Sequence, residues 1–519
     1  MRLKPVLGVL GALALIGTLT MCTPSDTIAP AETEPPASTT PSEHTPNALT
    51  SAVVVSKMTG VNALTETISR WRIEGTDLGI FWSGDEDTIL TAFGDTFGRW
   101  GGDGGGGQEW RSNVLLRSSD RDPSRGITFD SAVEDSEGAA RELIPSMKLT
   151  GTEMTTIPTA GVAVGGRQYM AFMSVNEWGD PGRWLTNFSR IAYSDDLGET
   201  WNYQDGPTWE NTEEGDHPFQ MVAFASNGDG LVYMFGTPNG RAGTVSLARV
   251  PSGSLLEKDA FEYWNGLEWG TDEHAVSPLF AEPASELSVI YNHDLERWVM
   301  ITLQEADGLI IRTAPEPTGP WSDWTLIASP TDHPSLYGGY IHPASARGND
   351  IYFAMSEWRT YSVYLLRVTI TADGTILRPN LVPDHNFEWQ LGDEIAEPWV
   401  TTGSVRQDTI YGSSAHFSGI TNARLAGEGA EVSQKIWVDS DTRFEAAAFL
   451  AAPDGESAGE FGVRGCDGTV LAAAEIAASG PYERLVVSFE SGTCEWVEIY
   501  ARSLTGTVLA DTFSLTEQQ

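Results

Sequence analysis

Two aspartates at the base of one predicted hairpin have the type and spacing needed for acid–base chemistry. Asp77 precedes the apolar stretch LGIFW, and Asp95 follows the stretch ILTAFG. If the turn between these stretches is centred near Glu86, Asp77 and Asp95 pair across two strands, with Cβ atoms roughly 5 Å apart. Two carboxylates this close repel, which raises one pKa. Such a pair can divide into the acid and the base of glycoside hydrolysis, so both aspartates are candidate catalytic residues.

Further candidates lie in loops or at strand starts on the same side of the predicted sheets. Glu153 and Glu286 each stand where a strand begins, and either can act as an additional acid, bind a substrate hydroxyl, or be a solvated charge. Loop clusters rich in Trp, Arg and Asn provide stacking surfaces and hydrogen-bond donors for a sugar, although a single Trp is more often a packing residue. His342 can line a channel, bind a metal or simply pack. The candidate substrate-binding residues are Trp110, Arg111, Asn113, Trp178, Trp184, Asn187, Arg241, Tyr340 and His342.

The elements that must position these residues are short β-strands. Aromatic landmarks end clusters of strand patterns at intervals of 60 to 72 residues, which indicates a repeated unit. The segment SDDLGETW at residues 194–201 matches the Asp-box turn between strands of sialidase-like propellers. We therefore predict an all-β protein with a five-bladed β-propeller over residues 65–395, with six blades as the alternative. Residues 425–519 are predicted to form a small β-sandwich-like accessory domain, either carbohydrate-binding or purely structural.

The composition and the N-terminus predict export. The chain has 519 residues, with 31 Lys and Arg against 72 Asp and Glu and a formal net charge of −41. This charge argues against a nucleic-acid partner, because phosphate binding needs dense cationic contacts. Residues 1–22 are predicted to be a signal peptide of the lipoprotein type, with Cys22 as the lipidated residue. Ordinary secretion, with cleavage further along the chain, is the alternative.

Two further features agree with an extracellular location. Residues 23–50 are rich in Thr, Ser, Pro and Glu and are predicted to be a disordered tether. Cys466 and Cys494 are expected to form one disulfide, as cysteines do in an oxidising compartment. We therefore expect a monomer at the cell surface, attached to the membrane only through its N-terminal lipid.

Seven ordered motifs resemble one protein family, domain of unknown function 4185, which is identified with the endo-D-arabinanases of glycoside hydrolase family 183. The resemblance covers residues 70–395 and rests on TDLGIFW…TAFGDTFG, WRSNVLLRSSD, TEMTTIPTAGV, SVNEWGDPGRWLTNFSRIAYSDDLGETW, YMFGTPNGRAG, ELSVIYN and RTAPEPTGPWS. It implies a five-bladed propeller that cleaves internal α-D-arabinofuranosyl linkages in the D-arabinan of arabinogalactan and lipoarabinomannan.

The resemblance also implies that Asp77 and Asp95 are the essential acidic pair and favours inversion at the anomeric carbon. Direct opposition across a hairpin would suit retention better, since inversion needs about 6.5–9.5 Å between the carboxyl groups. No organic cofactor and no metal site are expected, and Ca²⁺ in the central channel is left open. The alternatives are another furanosidase and a propeller that binds glycans at the cell surface without cleaving them.

Overall fold

The computed structural model describes residues 51–409, 416–476 and 480–518. The predicted signal peptide, the tether and Cys22 lie outside the described residues. The described chain is all-β, as predicted: its helices are one short α-helix, α1 (Thr67–Trp71), and the 3₁₀ turns Ser252–Ser254, Lys258–Ala260 and Pro343–Ala346. None of the helices in the described ranges has the length and hydropathy that crossing a bilayer requires.

Twenty-three strands precede residue 371 in the described part of the chain. In chain order they are β1 (Val53–Lys57), β2 (Leu78–Ser83), β3 (Ile89–Phe93), β4 (Thr96–Trp100), β5 (Gly107–Arg111), β6 (Val114–Ser118), β7 (Ser131–Ala132), β8 (Thr155–Val164), β9 (Arg167–Trp178), β10 (Trp184–Ser194), β11 (Thr208–Glu210), β12 (Met221–Ala225), β13 (Leu231–Thr237), β14 (Ser246–Pro251), β15 (Glu262–Trp264), β16 (Trp269–Gly270), β17 (Ser285–Asn292), β18 (Arg297–Gln304), β19 (Gly308–Ala314), β20 (Thr325–Ala328), β21 (Leu336–Ile341), β22 (Asp350–Glu357) and β23 (Ser362–Thr369).

These strands form five antiparallel sheets and one separate ribbon, β4–β5. The sheets have the strand orders β2-β3-β6-β7, β8-β9-β10-β11, β12-β13-β14-β15-β16, β17-β18-β19-β20 and β21-β22-β23-β1, and we number them first to fifth. The leading strands β2, β8, β12, β17 and β21 each contact the next, and β21 contacts β2. The five sheets therefore form a closed ring around these leading strands.

The chain closes the ring with its earliest described strand. β1 adds to the fifth sheet by pairing with β23, and Val53 lies opposite Arg367. The predicted domain start at residue 65 is therefore too late, because the closing strand comes from residues 53–57. Through β1, the earliest described part of the chain pairs with the fifth sheet.

The burial of the inner strands follows from the ring. β3 is ILTAF, and all five residues are buried because neighbouring sheets cover both faces.

The predicted Asp-box turn has a structural role, since Asp196 accepts hydrogen bonds from the backbone and hydroxyl of Thr200. Gly198 has φ +83°, and a Cβ there would lie 2.3 Å from Leu115 of the first sheet. This turn packs one sheet against its neighbour and stands apart from any chemistry.

The remaining strands form a second sheet system. They are β24 (Val400–Thr409), β25 (Thr421–Trp437), β26 (Arg443–Ala452), β27 (Ala458–Arg464), β28 (Val470–Ile476), β29 (Gly480–Glu490), β30 (Trp496–Thr505) and β31 (Thr507–Glu517). They pair in the order β28-β27-β30-β25-β31-β26-β29, with β24 on β25. The edge strands β28 and β29 contact each other, so this C-terminal sheet folds over its own apolar core.

The C-terminal sheet begins earlier than the sequence pattern indicated. Val382, Phe387 and Trp399 pack into its core, and β24 starts at Val400. The predicted boundaries at 395 and 425 miss this segment because it lacks the alternating pattern of a strand. Cys466 and Cys494 form the expected disulfide.

Candidate active site

One cavity of about 650 Å³ opens where the leading strands of the ring begin. All five leading strands or the residues just before them contribute to its lining, for example Asp77, Ile157, Met221, Glu286 and Tyr337. A second cavity of about 260 Å³ is lined by residues further along the same strands. The larger cavity, which we call the site cavity, therefore lies at one end of the channel enclosed by the ring.

The first predicted aspartate reaches the site cavity through a bulge. The strand β2 pairs with β3 so that Ile80 lies opposite Ala92, but Leu78 lies opposite Phe93. Both Leu78 (φ +73°) and Gly79 (φ +88°) have left-handed backbone conformations at this shift. Asp77 therefore lies beside Gly94, whose N–H donates to its carbonyl at 3.1 Å. The expected direct pairing of Asp77 with Asp95 is wrong by one residue, since the bulge adds a residue to β2.

Both carboxylates nevertheless line the site cavity. Asp77 is 9% exposed. Its Oδ2 accepts hydrogen bonds from the hydroxyls of Tyr337 at 2.8 Å and Tyr361 at 3.2 Å. Burial, with a further contribution from the nearby charge of Asp95, raises the pKa of Asp77 to about 8, against the lowering effect of the two tyrosines. Asp77 therefore keeps its proton at neutral pH and is suited to act as a general acid.

Asp95 has different partners and a lower pKa. Its Oδ1 accepts hydrogen bonds from Trp110 Nε1 at 2.8 Å and from Thr155 Oγ1 at 2.6 Å. Burial raises the pKa of Asp95 to about 6, while these two donors and Lys148 hold it down. Most of Asp95 is therefore ionised at pH 7 and can serve as a base or a nucleophile. Two carboxylates with separated pKa values are the arrangement that divides acid from base.

Trp110 acts on the site through Asp95. The residue is absent from the cavity lining, and its ring stacks on Phe97 with centroids 6.4 Å apart. Lys148 lies over the indole, with Nζ 5.2 Å from the ring centroid. The sequence proposed Trp110 as a sugar-stacking surface; the structure instead places it where it orients a carboxylate.

A third carboxylate in the site cavity is paired with an arginine. Glu286 is 8% exposed, and its Oε1 lies 2.7 Å from Arg241 Nη2. Arg241 Nε donates to both carboxylate oxygens at 3.2 and 3.3 Å, and Ser285 Oγ also donates to Glu286. Arg241 lies beside the rings of Trp184 and Tyr337. A carboxylate held this way is better suited to bind substrate hydroxyls than to exchange protons.

Four of the nine predicted substrate-binding residues line the site cavity, and five do not. Trp178, Trp184, Arg241 and Tyr340 belong to the lining, and Trp178 and Trp184 meet edge to face with centroids 5.8 Å apart. Besides Trp110, the residues absent from the lining are Arg111, Asn113, Asn187 and His342. The candidate acid Glu153 is also absent from it.

The residues outside the lining have structural partners. Asn113 is fully buried, and its amide donates to the carbonyls of Ile144 and Thr156. Arg111 donates to three backbone carbonyls, at 3.2, 3.0 and 2.7 Å. These contacts give both residues structural roles outside the site cavity lining, so the structure does not bring them together with the other substrate-binding candidates.

His342, Glu153 and Asn187 likewise have structural partners outside the site cavity lining. Nδ1 of His342 accepts the backbone N–H of Ala344 at 3.2 Å, and burial lowers the pKa of this histidine to about 3. His342 therefore caps a 3₁₀ turn as a neutral ring. Glu153 Oε2 accepts the hydroxyl of Ser174 at 2.7 Å, and Asn187 donates to the same hydroxyl at 3.0 Å. These two residues belong to one hydrogen-bond network at the start of the second sheet.

The sequence patterns missed the residues that control Asp77. Tyr337 and Tyr361 lie more than 250 positions away from Asp77 along the chain and come from the fifth sheet. Trp358 lines the site cavity and is 48% exposed. The aromatic-rich turn segment EWRTYS at residues 357–362 was the one local signal that could have indicated Trp358 and Tyr361.

One group of metal-type ligands occurs among the described residues, away from the site cavity lining. Donor atoms of His217, Glu273 and His274 lie within 4.8 Å of one another. Lys258 Nζ lies 2.9 Å from Glu273, and Nδ1 of His217 accepts the N–H of Phe219 at 3.3 Å. Because Glu273 is already paired with a cation and one His217 nitrogen has a backbone partner, these contacts favour an ion-pair cluster over a metal site.

Comparisons with known proteins identify similar chains. The model of a family described as "Domain of unknown function (DUF4185)" matches residues 62–367. The chain is 33% identical to Notoamide biosynthesis cluster protein J of Aspergillus sp. (strain MF297-2) over 57% of this chain and 83% of that protein. It is 31% identical to Notoamide biosynthesis cluster protein J' of Aspergillus versicolor, over 61% of this chain and 90% of that protein.

Among solved structures, similarity is lower. An exo-β-1,3-galactanase from Phanerochaete chrysosporium shares 12% identity at a TM-score of 0.39, covering 89% of this chain and 100% of that chain. A glycoside hydrolase family 43 arabinoxylan arabinofuranohydrolase from Bacillus subtilis shares 10% identity at a TM-score of 0.38, covering 90% of this chain and 99% of that chain. With TM-scores this low, the function must be argued from the site itself.

Proposed function

This chain belongs to the DUF4185 family, and from that premise we propose that it is a glycoside hydrolase that cleaves internal α-D-arabinofuranosyl linkages in cell-wall D-arabinan. The observation that carries the proposal is the pair of carboxylates in one cavity. Asp77 has a pKa of about 8 and Asp95 a pKa of about 6, so one is protonated and the other ionised at pH 7. This is the division of labour that glycoside hydrolysis requires.

In the proposed reaction, Asp77 protonates the leaving glycosidic oxygen while Asp95 activates a water molecule on the opposite face of the sugar. The two carboxyl groups are held by separate partners, the tyrosines of the fifth sheet for Asp77 and Trp110 and Thr155 for Asp95. The bulge at Gly79 also removes the direct cross-strand opposition that would favour retention. We therefore propose inversion, which leaves room for water between the carboxyl groups.

The architecture supports an enzyme of the propeller type. We propose that the ring of five sheets is a five-bladed β-propeller, with the first strand of each blade at the channel and β1 closing the last blade. The C-terminal sheet is proposed to be a β-sandwich-like domain attached to it. The site cavity then occupies the position at which propellers bind their ligands.

The cavity walls suit a neutral sugar. Trp178, Trp184 and Trp358 line the cavity and provide flat apolar surfaces against which furanose rings can stack. Arg241 and Glu286 provide polar groups for hydroxyls. The formal net charge of −41 disfavours a polyanionic substrate, which agrees with arabinan.

A second candidate function is a reaction in a biosynthetic pathway. The two fungal relatives carry the name of a notoamide biosynthesis cluster, and the aromatic walls of the site cavity would also hold a planar molecule. A glycan-binding protein without catalysis is less well supported, because binding alone does not require two buried carboxylates with raised pKa values.

Product analysis tests the proposal. The purified protein is incubated with mycobacterial arabinogalactan, and products are separated by chromatography and identified by mass spectrometry. We expect oligo-arabinosides from the wild type and from Asp205→Asn, an exposed control. Folded Asp77→Asn and Asp95→Asn should release none. Intact polymer from a folded wild type would reject the substrate, and NMR of the first anomer formed decides between inversion and retention.

The cellular setting is proposed on the same basis. We propose an extracellular, lipid-anchored monomer whose partner is D-arabinan and which binds neither nucleic acid nor, apart from the anchor, the membrane. No cofactor enters the proposed mechanism.

A further inference from the structure

We propose that Glu357 is a positioning residue through which the C-terminal sheet holds the catalytic acid in place. The inference rests on the proposed function, in which Asp77 is the acid. It assigns the C-terminal sheet a part in the reaction at the site cavity, beyond that of a separable accessory domain.

The turn between β22 and β23 supplies two residues to the site cavity. Trp358 and Tyr361 both line the cavity, and the Tyr361 hydroxyl donates to Asp77 Oδ2 at 3.2 Å. The backbone carbonyl of Tyr361 also accepts the N–H of Thr76 at 2.9 Å. The position of this turn therefore sets both a wall of the cavity and one hydrogen bond to Asp77.

Glu357 is the last residue of β22, and its side chain holds this turn through a hydrogen bond. Its side chain is fully buried, and Oε2 accepts the hydroxyl of Thr360, inside the turn, at 3.2 Å. Oε2 also accepts the backbone N–H of Gly419 at 3.0 Å, and Oε1 lies 3.2 Å from Nδ1 of His333. The carboxylate thus joins the active-site turn to a segment that leads into the C-terminal sheet.

That segment is attached firmly on its other side. The N–H groups of Phe417 and Ser418 donate to Oδ2 of Asp511 on β31, at 2.9 and 3.1 Å. The Phe417 ring stacks on Phe449 of β26 with centroids 3.7 Å apart. Residues 417–419 therefore form a bridge with one end in the C-terminal sheet and the other on Glu357.

The surroundings keep Glu357 charged. Burial alone would raise its pKa, but His333, the Gly419 N–H and Lys57 outweigh burial, so the pKa of Glu357 is lowered. Lys57 is buried on β1, and Asp511 adds a second acidic group beside it. An ionised, fully buried carboxylate accepts stronger hydrogen bonds than a neutral amide would, which suits a rigid connection.

The test compares pH profiles of kcat/KM. The groups that face Asp77 are Asp95, Glu286, Arg241 and the hydroxyls of Tyr337, Tyr340 and Tyr361. Because the tyrosines lower the pKa of Asp77, Tyr361→Phe should move the alkaline limb upward by about 0.5–1 pH unit. We expect Glu357→Gln to leave the turn over the cavity, so that Asp77 stays buried, but to weaken the Tyr361 hydrogen bond and so to move the limb in the same direction. The double variant should move it no further than Tyr361→Phe alone.

A matched control separates positioning from simple support of the fold. Glu388→Gln perturbs the same segment, because Glu388 Oε1 accepts the N–H groups of Ile420 and Thr421, but it does not touch the turn. Its alkaline limb should stay at the wild-type position even if the protein melts earlier. Thr360→Ala removes the half-buried hydroxyl that donates to Glu357 and should give the same upward shift, which keeps the test available if Glu357→Gln does not fold. The inference would be overturned if the alkaline limb of the kcat/KM profile stayed at the wild-type pH in both Glu357→Gln and Thr360→Ala.

A measurement without substrate distinguishes this inference from the proposed function. Infrared difference spectra, with Asp77→Asn as the blank, follow the titration of the Asp77 carboxyl directly. An inactive wild type whose Asp77 titration still moves upward in Glu357→Gln would reject the arabinanase and keep the positioning. An active wild type whose Asp77 titration is unmoved in Glu357→Gln would reject the positioning and keep the enzyme.

Discussion

The pH dependence of hydrolysis follows from the two pKa values in the site cavity. The reactive form has Asp77 protonated and Asp95 ionised. With pKa values of about 8 and about 6, this form makes up roughly 0.8 of the protein at pH 7. At pH 5 the protonation of Asp95, and at pH 9 the ionisation of Asp77, reduces it to roughly 0.1. We therefore expect a bell-shaped profile of kcat/KM centred near pH 7.

The assay is initial-rate hydrolysis of arabinan between pH 4 and pH 10 at constant ionic strength. The two limbs are then assigned with variants. Asp77→Asn should keep activity on an aryl arabinofuranoside, whose leaving group needs no proton, and should lose the alkaline limb. Asp95→Asn should be inactive on both substrates. A profile that falls steadily above pH 5, or an alkaline limb that persists in Asp77→Asn, would refute the assignment of Asp77 as the acid.

Two further predictions concern the same aspartate. A Cβ at Gly94 would lie 2.4 Å from Asp77 Oδ1. Gly94→Ala should therefore displace the carboxylate by roughly 1 Å and lower kcat by about 100-fold. Gly253→Ala, at a glycine with open space around it, is the control and should leave kcat unchanged. Asp77→Asn should also stabilise the protein at pH 8 but not at pH 4, by on the order of 3–5 kcal/mol in urea unfolding. The reason is that a pKa raised from 3.8 to about 8 on folding costs stability progressively as the pH rises through this range. Equal stabilisation at both pH values would show that Asp77 is not held protonated.

Local pattern was sufficient to find the hairpin that carries Asp77 and Asp95, but not its register. The apolar runs of β2 and β3 and the polar turn between them predict the hairpin, and the observed pairs from Ile80 to Ser83 agree with a turn centred near Glu86. The bulge at Gly79 is set by packing in three dimensions, since a Cβ there would lie 3.0 Å from Ala354 and Val363 of the fifth sheet. No short-range rule anticipates a contact with residues almost 300 positions away.

The same limit explains why several binding candidates lie outside the site cavity lining. Asn113 and Arg111 are polar residues close to a Trp, which is the composition of a sugar site. In the structure their side chains donate to the backbone carbonyls of Ile144 and Ala140, in the segment between β7 and β8. Buried backbone groups must find partners, and a polar side chain near a strand end is often that partner. Sequence composition alone does not distinguish these two uses.

The raised pKa of Asp77 depends on the closure of the ring of sheets. Asp77 comes from the first sheet, whereas both hydroxyls that hold it come from the fifth, at Tyr337 and Tyr361. These sheets meet only because the ring is complete, with β1 paired to β23 and β21 packed on β2. If the fifth sheet moved away, Asp77 would regain water and lose both donors, and since its pKa is raised mainly by burial, that pKa would fall towards the ordinary value. Asp77 can therefore stay protonated at neutral pH only while the first and fifth sheets are packed together. The contact between β2 and β21 is thus a requirement for the raised pKa of Asp77.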